Sequence, residues 1–201
     1  MKAAVYEGPG KIDLREVPTP SPGPGEVLID MRACSVCGTD IRIFEAGQKN
    51  VVPPRITGHE LAGVVSKIGS GVKGDFKEGD KVTAVTCVGC FTCRFCRQGI
   101  YNLCDDPKYL GYFYDGGFAE KMLVPAEAVR GDNIVRIGGP LSFEEIALIE
   151  PLSCCINGQE FLRIQPGDTV AVLGAGPIGG MHTELARAGA HVLPACPGFY
   201  H

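Results

Sequence analysis

Residues 170–180 read VAVLGAGPIGG. Apolar residues lead into Gly174, Gly176 and Gly179, spaced Gly-x-Gly-x-x-Gly, and the helix-forming run MHTELARA follows. A strand that enters a glycine loop and opens a helix is the start of a dinucleotide-binding βαβ unit. The glycines let backbone approach a pyrophosphate at a helix N-terminus, where unpaired amides favour negative charge. Gly167 and Asp168 make the turn before it, Thr169–Leu173 is the expected strand, and residues 177–188 are the expected helix. The expected nucleotide contacts are Gly174, Gly176, Pro177, Ile178 and Gly179.

Just upstream, PLSFEEIALIEPLSCCINGQEFLRI (140–164) has helical character. Ser142 stands three residues before Glu145, the spacing of a capping box. Pro151 then fits the first turn of a second helix. Before residue 140 the character is different. Short apolar runs, KAAVYE, EVLIDMRAC, GVVSKIG and DKVTAVTC, are separated by Gly and Pro turns, and the chain carries 28 glycines and 15 prolines. PTPSPGPGE (18–26) reads as an extended, turn-rich connection. This pattern predicts a compact barrel or sandwich of short strands over residues 1–140, followed by the opening of an α/β nucleotide-binding domain over 141–201.

Composition narrows the function classes. The net charge of −4 offers no basic patch, so a nucleic-acid partner is not expected. No apolar run approaches membrane-spanning length, and MKAAVYEGPGKIDLREVP has no apolar core of signal-peptide length. Ten cysteines fall in tight local spacings, which favours metal ligands in a reducing cytoplasm over disulfides.

Five of them lie in CVGCFTCRFCRQGIYNLC (87–104). Cys90, Cys93 and Cys96 share one tight turn, and Cys104 from the next loop completes a set of four thiolates. Four sulfurs with no open position describe a closed, structural zinc site. An iron–sulfur cluster is the rival, but the bacterial ferredoxin pattern continues with a fourth cysteine after three residues and a proline, which this chain lacks. Spacing alone leaves Cys87 as a competing ligand.

A second constellation is scattered. ACSVCGTDIRIF (33–44) supplies Cys37, ITGHELAGVV (56–65) supplies His59 and Glu60, and ALIEPL (147–152) places Glu150 in an apolar helical stretch. One thiol, one imidazole and one or two carboxylates make a mixed set with room for a substrate, the layout of a catalytic zinc.

The motifs around these residues carry a resemblance. GHELAGVVSKIGSGV (58–72) is similar to the signature of zinc-containing alcohol dehydrogenases in the medium-chain dehydrogenase/reductase family. CGTD (37–40) resembles that family's first zinc-ligand motif, and the spacing of Cys90, Cys93, Cys96 and Cys104 resembles its structural-zinc loop. DGGFAE (115–120), EPL (150–152) and PGDTVAVLGAGPIG (166–179) resemble its sorbitol, polyol and threonine dehydrogenase branch. The resemblance implies a mainly β, GroES-like catalytic domain joined to a Rossmann domain. Cys37 and His59 would ligate the catalytic zinc, with Glu60 beside it and Glu150 completing or approaching the shell. Thr39 would take the substrate proton. The implied cofactors are zinc, catalytic and structural, and NAD or NADP. The implied partner is a small-molecule alcohol or polyol, and the full-length form would be a homo-oligomer, dimer or tetramer.

Two departures stand out. Relatives that carry a histidine five residues after the first zinc cysteine use it in proton relay; here that position is Arg42, a permanent cation. Cys196 stands where the ribose-binding acid belongs, and Pro194 interrupts the second strand that AHVL (190–193) begins. The expectation is therefore a fragment or frameshift product of a longer dehydrogenase, inactive alone. The alternative function is a non-catalytic zinc-binding protein of the same fold.

Overall fold

Alternating apolar residues build the centre of the fold, which is given by a computed structural model describing residues 1–165 and 167–188. The chain opens with β1 (Lys2–Gly8) and β2 (Lys11–Glu16), an antiparallel hairpin. Residues 18–26 follow without strand or helix, as their prolines dictate. Then come β3 (Val27–Ser35), α1 (Gly38–Ala46), β4 (Arg55–Ile56), β5 (Glu60–Ile68) and β6 (Lys81–Ala84). β7 (Cys87–Val88) and β8 (Lys108–Tyr109) pair across the base of a cysteine-bearing excursion. β9 (Lys121–Val124), α2 (Ala126–Arg130) and β10 (Ile134–Arg136) complete the β-rich part.

Two larger sheets carry this part, beside the two-stranded β7–β8 pair. One has the order β10-β6-β5-β3-β9 and the other β2-β1-β4, and Ala3 bridges Ala119 outside the named strands. Val27 and Ile29 of β3 and Leu61 and Val65 of β5 are buried with Val82, Met122 and Val124 in the largest apolar cluster. Their every-other spacing puts them on one face of the pleat. The mainly β expectation for the first 140 residues is met.

The β3–β5 pair positions the chemistry. Its register runs antiparallel to the end where Ser35 stands opposite Glu60. Cys37 follows β3 by two residues and His59 precedes β5 by one. Residues remote in sequence thus meet at one end of the central pair.

The helical part begins with α3 (Phe143–Ala147) and α4 (Ile149–Leu162). The capping box at Ser142 forms: the Glu145 amide donates to Ser142 Oγ at 3.2 Å, and the Ser142 amide donates to Glu145 Oε2 at 2.8 Å. Ile146 and Ala147 pack against Ala62, which ties α3 to the sheet. Pro151 sits in the first turn of α4, as the sequence predicts.

The glycine loop opens α5 (Pro177–Ala188) as expected, but Thr169–Leu173 is not a strand. A strand exists through ladder bonds to a neighbour, and none of the described residues offers residues 169–173 an edge. The side chains reflect this: Leu173 is 95% exposed, and Val170 and Val172 are each 37% exposed. The expected second strand at 190–193, Pro194 and Cys196 lie outside the described residues. No described helix is long and apolar enough to cross a membrane.

Candidate metal centres

The Sγ atoms of Cys90, Cys93, Cys96 and Cys104 all lie within 4.8 Å of one another. Two of the separations, Cys90 to Cys96 and Cys93 to Cys104, are 4.0 Å. Sulfurs held at the zinc–thiolate bond length around a tetrahedral ion stand about 3.8 Å apart, so the set fits such an ion with little adjustment. Backbone amides are aimed at the sulfurs. Cys93 N donates to Cys90 Sγ at 3.3 Å, Cys96 N to Cys93 Sγ at 3.4 Å, and Cys90 N to Cys104 Sγ at 3.2 Å.

These donors favour the thiolate form that a metal requires. Hydrogen bonds from the Thr92 hydroxyl, and then from the Thr92 and Cys93 amides, bring the Cys90 thiol down to about 6. Amides of Asp105 and Cys96 lower Cys93 as well. Burial instead pushes Cys96 up to about 12, which a bound cation would reverse. Cys87 stands outside the set: its thiol donates to the Tyr101 carbonyl at 3.2 Å, and burial raises it to about 11. Every described cysteine is free of disulfide.

A second group joins Cys37, His59 and Glu60, again with one ligand atom from each within 4.8 Å of the others. One sulfur, one ring nitrogen and one carboxylate oxygen make a three-donor set, one short of tetrahedral closure. Cys37 is the N-cap of α1, and its amide donates to Asp40 Oδ2 at 2.9 Å. His59 follows Gly58, whose φ of +92° favours glycine; a Cβ there would meet the Phe118 ring at 2.8 Å and Cys34 Sγ at 2.9 Å. The Gly-His-Glu order thus has a steric cause. Burial lowers the His59 imidazole, but the facing Asp40 carboxylate, with Glu150 and Glu60 nearby, raises it more, and it stands above its usual value.

The glycine loop before α5 is tightly closed. At Gly179 a Cβ would lie 1.9 Å from the Gly174 carbonyl oxygen, so the loop closes on itself where a side chain would block it. The loop ends at the N-terminus of α5, whose free amides suit a pyrophosphate.

The profile of the alcohol dehydrogenase GroES-like domain matches residues 23–131, more than half of the chain. The chain belongs to the zinc-type medium-chain alcohol dehydrogenase family. Among its relatives is sorbitol dehydrogenase of Bacillus subtilis (strain 168), 38% identical over 192 residues, covering 94% of this chain and 53% of that protein. L-threonine 3-dehydrogenase of Pyrococcus horikoshii is 41% identical over 181 residues, covering 88% of this chain and 49% of that protein. A protein of Sinorhizobium meliloti 1021, assigned as a zinc-binding dehydrogenase and solved bound to NADP, superposes with a TM-score of 0.85 at 38% identity, covering 94% of this chain and 53% of that one. The chain spans about half the length of the curated relatives it matches.

Within this alcohol dehydrogenase fold the sequence-derived residues are distributed unevenly. Cys37, His59 and Glu60 come together, whereas Glu150 stays outside the three-donor set, in the first turn of α4. Burial raises the Glu150 carboxyl, His59 draws it down and Glu60 raises it again, so it lies within electrostatic reach of the group. The Thr39 hydroxyl lies close enough to the Cys37 thiol and the Tyr112 hydroxyl to lower both, against the burial that raises them. Arg42 is exposed and donates to Gln48 Oε1 at 2.9 Å, away from the group. Two neighbours were missed by sequence reasoning. Asp40 is buried, and its Oδ1 faces His59 Nδ1 at 3.6 Å with no hydrogen-bond partner of its own. Its place three residues after Cys37 was the available signal, a cap acid on the N-terminal turn. The Tyr112 hydroxyl lies 3.3 Å from His59 Nδ1 and 3.4 Å from Nε2, and no local sequence signal marks it.

Proposed function

We propose that this chain carries the metal-binding catalytic domain, residues 1–140, and the opening of the nucleotide-binding domain, 141–201, of a zinc-dependent NAD(P)-linked oxidoreductase. The reaction is oxidation of a secondary alcohol, polyol or amino alcohol to the ketone. The carrying observation is the Cys37–His59–Glu60 group with the Thr39 hydroxyl beside it.

Cys37, His59 and Glu60 would hold the catalytic ion, and Cys90, Cys93, Cys96 and Cys104 the structural one. When bound, zinc supplies the Lewis acidity that brings an alcohol's ionisation towards neutral pH, and a nicotinamide supplies the hydride acceptor. The chain's own residues do the rest. Thr39 accepts the proton of the substrate hydroxyl and passes it on. Its proximity to the Tyr112 hydroxyl supports an exit by that phenol or by water, since Arg42 cannot act as a base. Asp40 orients the His59 ring, as a carboxylate behind a metal-bound histidine does. The loop from Gly174 to Gly179 receives the pyrophosphate. The names of the sorbitol and threonine dehydrogenases support a hydroxyl on a carbon chain as the substrate class.

Elemental analysis of the reduced protein tests the reading: two zinc ions per chain are expected, and one or none overturns it. Thr39→Val keeps the side-chain shape and removes the hydroxyl. It is expected to retain both ions while turnover, measured in a full-length version with a complete nucleotide-binding domain, falls by about 10²–10⁴-fold, the range for losing a positioned acid–base group. Unchanged turnover across pH would assign proton removal elsewhere.

A further inference from the structure

Glu60 is buried, yet one of its oxygens is already taken. Ser35 Oγ donates to Glu60 Oε2 at 2.5 Å, within the range of a charge-assisted hydroxyl–carboxylate bond. The two residues are direct cross-strand partners at the end of the β3–β5 pair. That pairing depends on an irregularity. Met31 opposes Gly63 and Ala33 opposes Ala62, so Arg32 is an extra residue on β3. Continued in the register of Ile29–Val65 and Met31–Gly63, which an earlier irregularity between Leu28 and Ile29 sets, the pair would place Ser35 opposite His59. A bulge of this kind shifts the register by one residue and re-aims every side chain beyond it. Here it brings the hydroxyl onto the carboxylate that joins Cys37 and His59.

We infer that Ser35 is a positioning residue for the open metal group: its hydroxyl occupies one Glu60 oxygen and presents the other alone to the ion. This rests on the proposed reading, in which Glu60 helps to hold zinc. A buried carboxylate without this partner has two equivalent oxygens and freedom to turn, and both loosen a three-donor set. The bond also meets part of the acceptor demand that burial places on Glu60. Ser35 touches no reacting atom; it acts through Glu60.

The test is zinc affinity, measured on the whole chain by competition with a chromophoric chelator, with the four-cysteine site as internal reference. Ser35→Ala is expected to weaken the open site by 10–100-fold, the usual loss when a partner behind a metal ligand is removed, and to leave the closed site unchanged. Ser35→Thr keeps the hydroxyl and suits a strand, and is expected to stay within about threefold of the parent. In a Glu60→Ala background, Ser35→Ala is expected to cost less than about twofold, because its action runs through that carboxylate. An alanine variant that binds as the parent does, a threonine variant as weak as alanine, or an equal loss in both backgrounds overturns the inference. A parent chain that binds only one equivalent overturns the proposed function instead, and the two failures are thereby told apart.

Discussion

A His59→Ala variant is expected to bind one zinc ion per chain where the parent binds two, and, in a full-length version with a complete nucleotide-binding domain, to lose turnover by at least about 10³-fold. His59 supplies the one nitrogen in the open group and is 5% exposed, at the head of β5. Removing it leaves a thiol and a carboxylate, both of which must ionise to bind, in a pocket that already holds Asp40 and Glu150 nearby. The anions then repel one another without the neutral donor that spaced them, and the ion is lost. The closed group shares no residue with this pocket, so its ion should remain. Elemental analysis checks the stoichiometry, and nicotinamide absorbance with a panel of alcohols and polyols checks turnover. A variant that keeps two ions would mean that Glu150 or water can replace the imidazole. Turnover near the parent level would remove His59 from the reaction.

How much of this was legible from sequence depends on how local each signal is. The four-cysteine set was legible because its members lie within fifteen residues and metal chemistry fixes their spacing. The β3 and β5 strands were legible as the short apolar runs EVLIDMRAC and GVVSKIG between Gly and Pro turns. The open group was legible only as candidates. Glu60 and Glu150 could not be ranked, because the distance of Glu60 from Cys37 is set by the β3–β5 register and that of Glu150 by how α4 packs on the sheet. Asp40 and Ser35 went unread for a related reason. Asp40 meets His59 only once the chain segments that carry them are brought together, and Ser35 acquires its partner through the extra residue at Arg32, which no alternation pattern reveals. Thr169–Leu173 illustrates the opposite error. Its composition is that of a strand, but strand formation is a property of two segments, and among the described residues it has no neighbour.

Replacing Cys93 with serine is expected to release the ion from the closed group and lower the melting temperature by on the order of 10 °C. Cys93 is central to that loop: its amide donates to Cys90 Sγ, its sulfur accepts from the Cys96 amide, and it lies 4.0 Å from Cys104 Sγ. A serine hydroxyl does not ionise near neutral pH and is a poor partner for a borderline-soft ion, so three sulfurs and an open position remain. Little else holds the segment. Between β7 and β8, two residues each, the backbone forms only short helical turns at Cys96–Gln98 and Tyr101–Leu103. Its apolar anchors are few: Val88 and Leu110 are buried at its ends, and within the loop Phe91 packs, partly buried, against the core. With the ion gone, the amide-to-sulfur bonds weaken and residues 91–106 should become the first site of proteolytic cleavage. Calorimetry and limited proteolysis, each run beside the parent stripped of metal with a chelator, check this. The stripped parent should behave as the variant does, because both lose the same ion. A variant that keeps the parent's melting temperature would show that the loop is held by packing, and the four cysteines would then need another explanation. Visible absorption separates the remaining metal chemistry: a colourless, ion-loaded parent is expected of zinc, and a charge-transfer band would assign the same four sulfurs to iron.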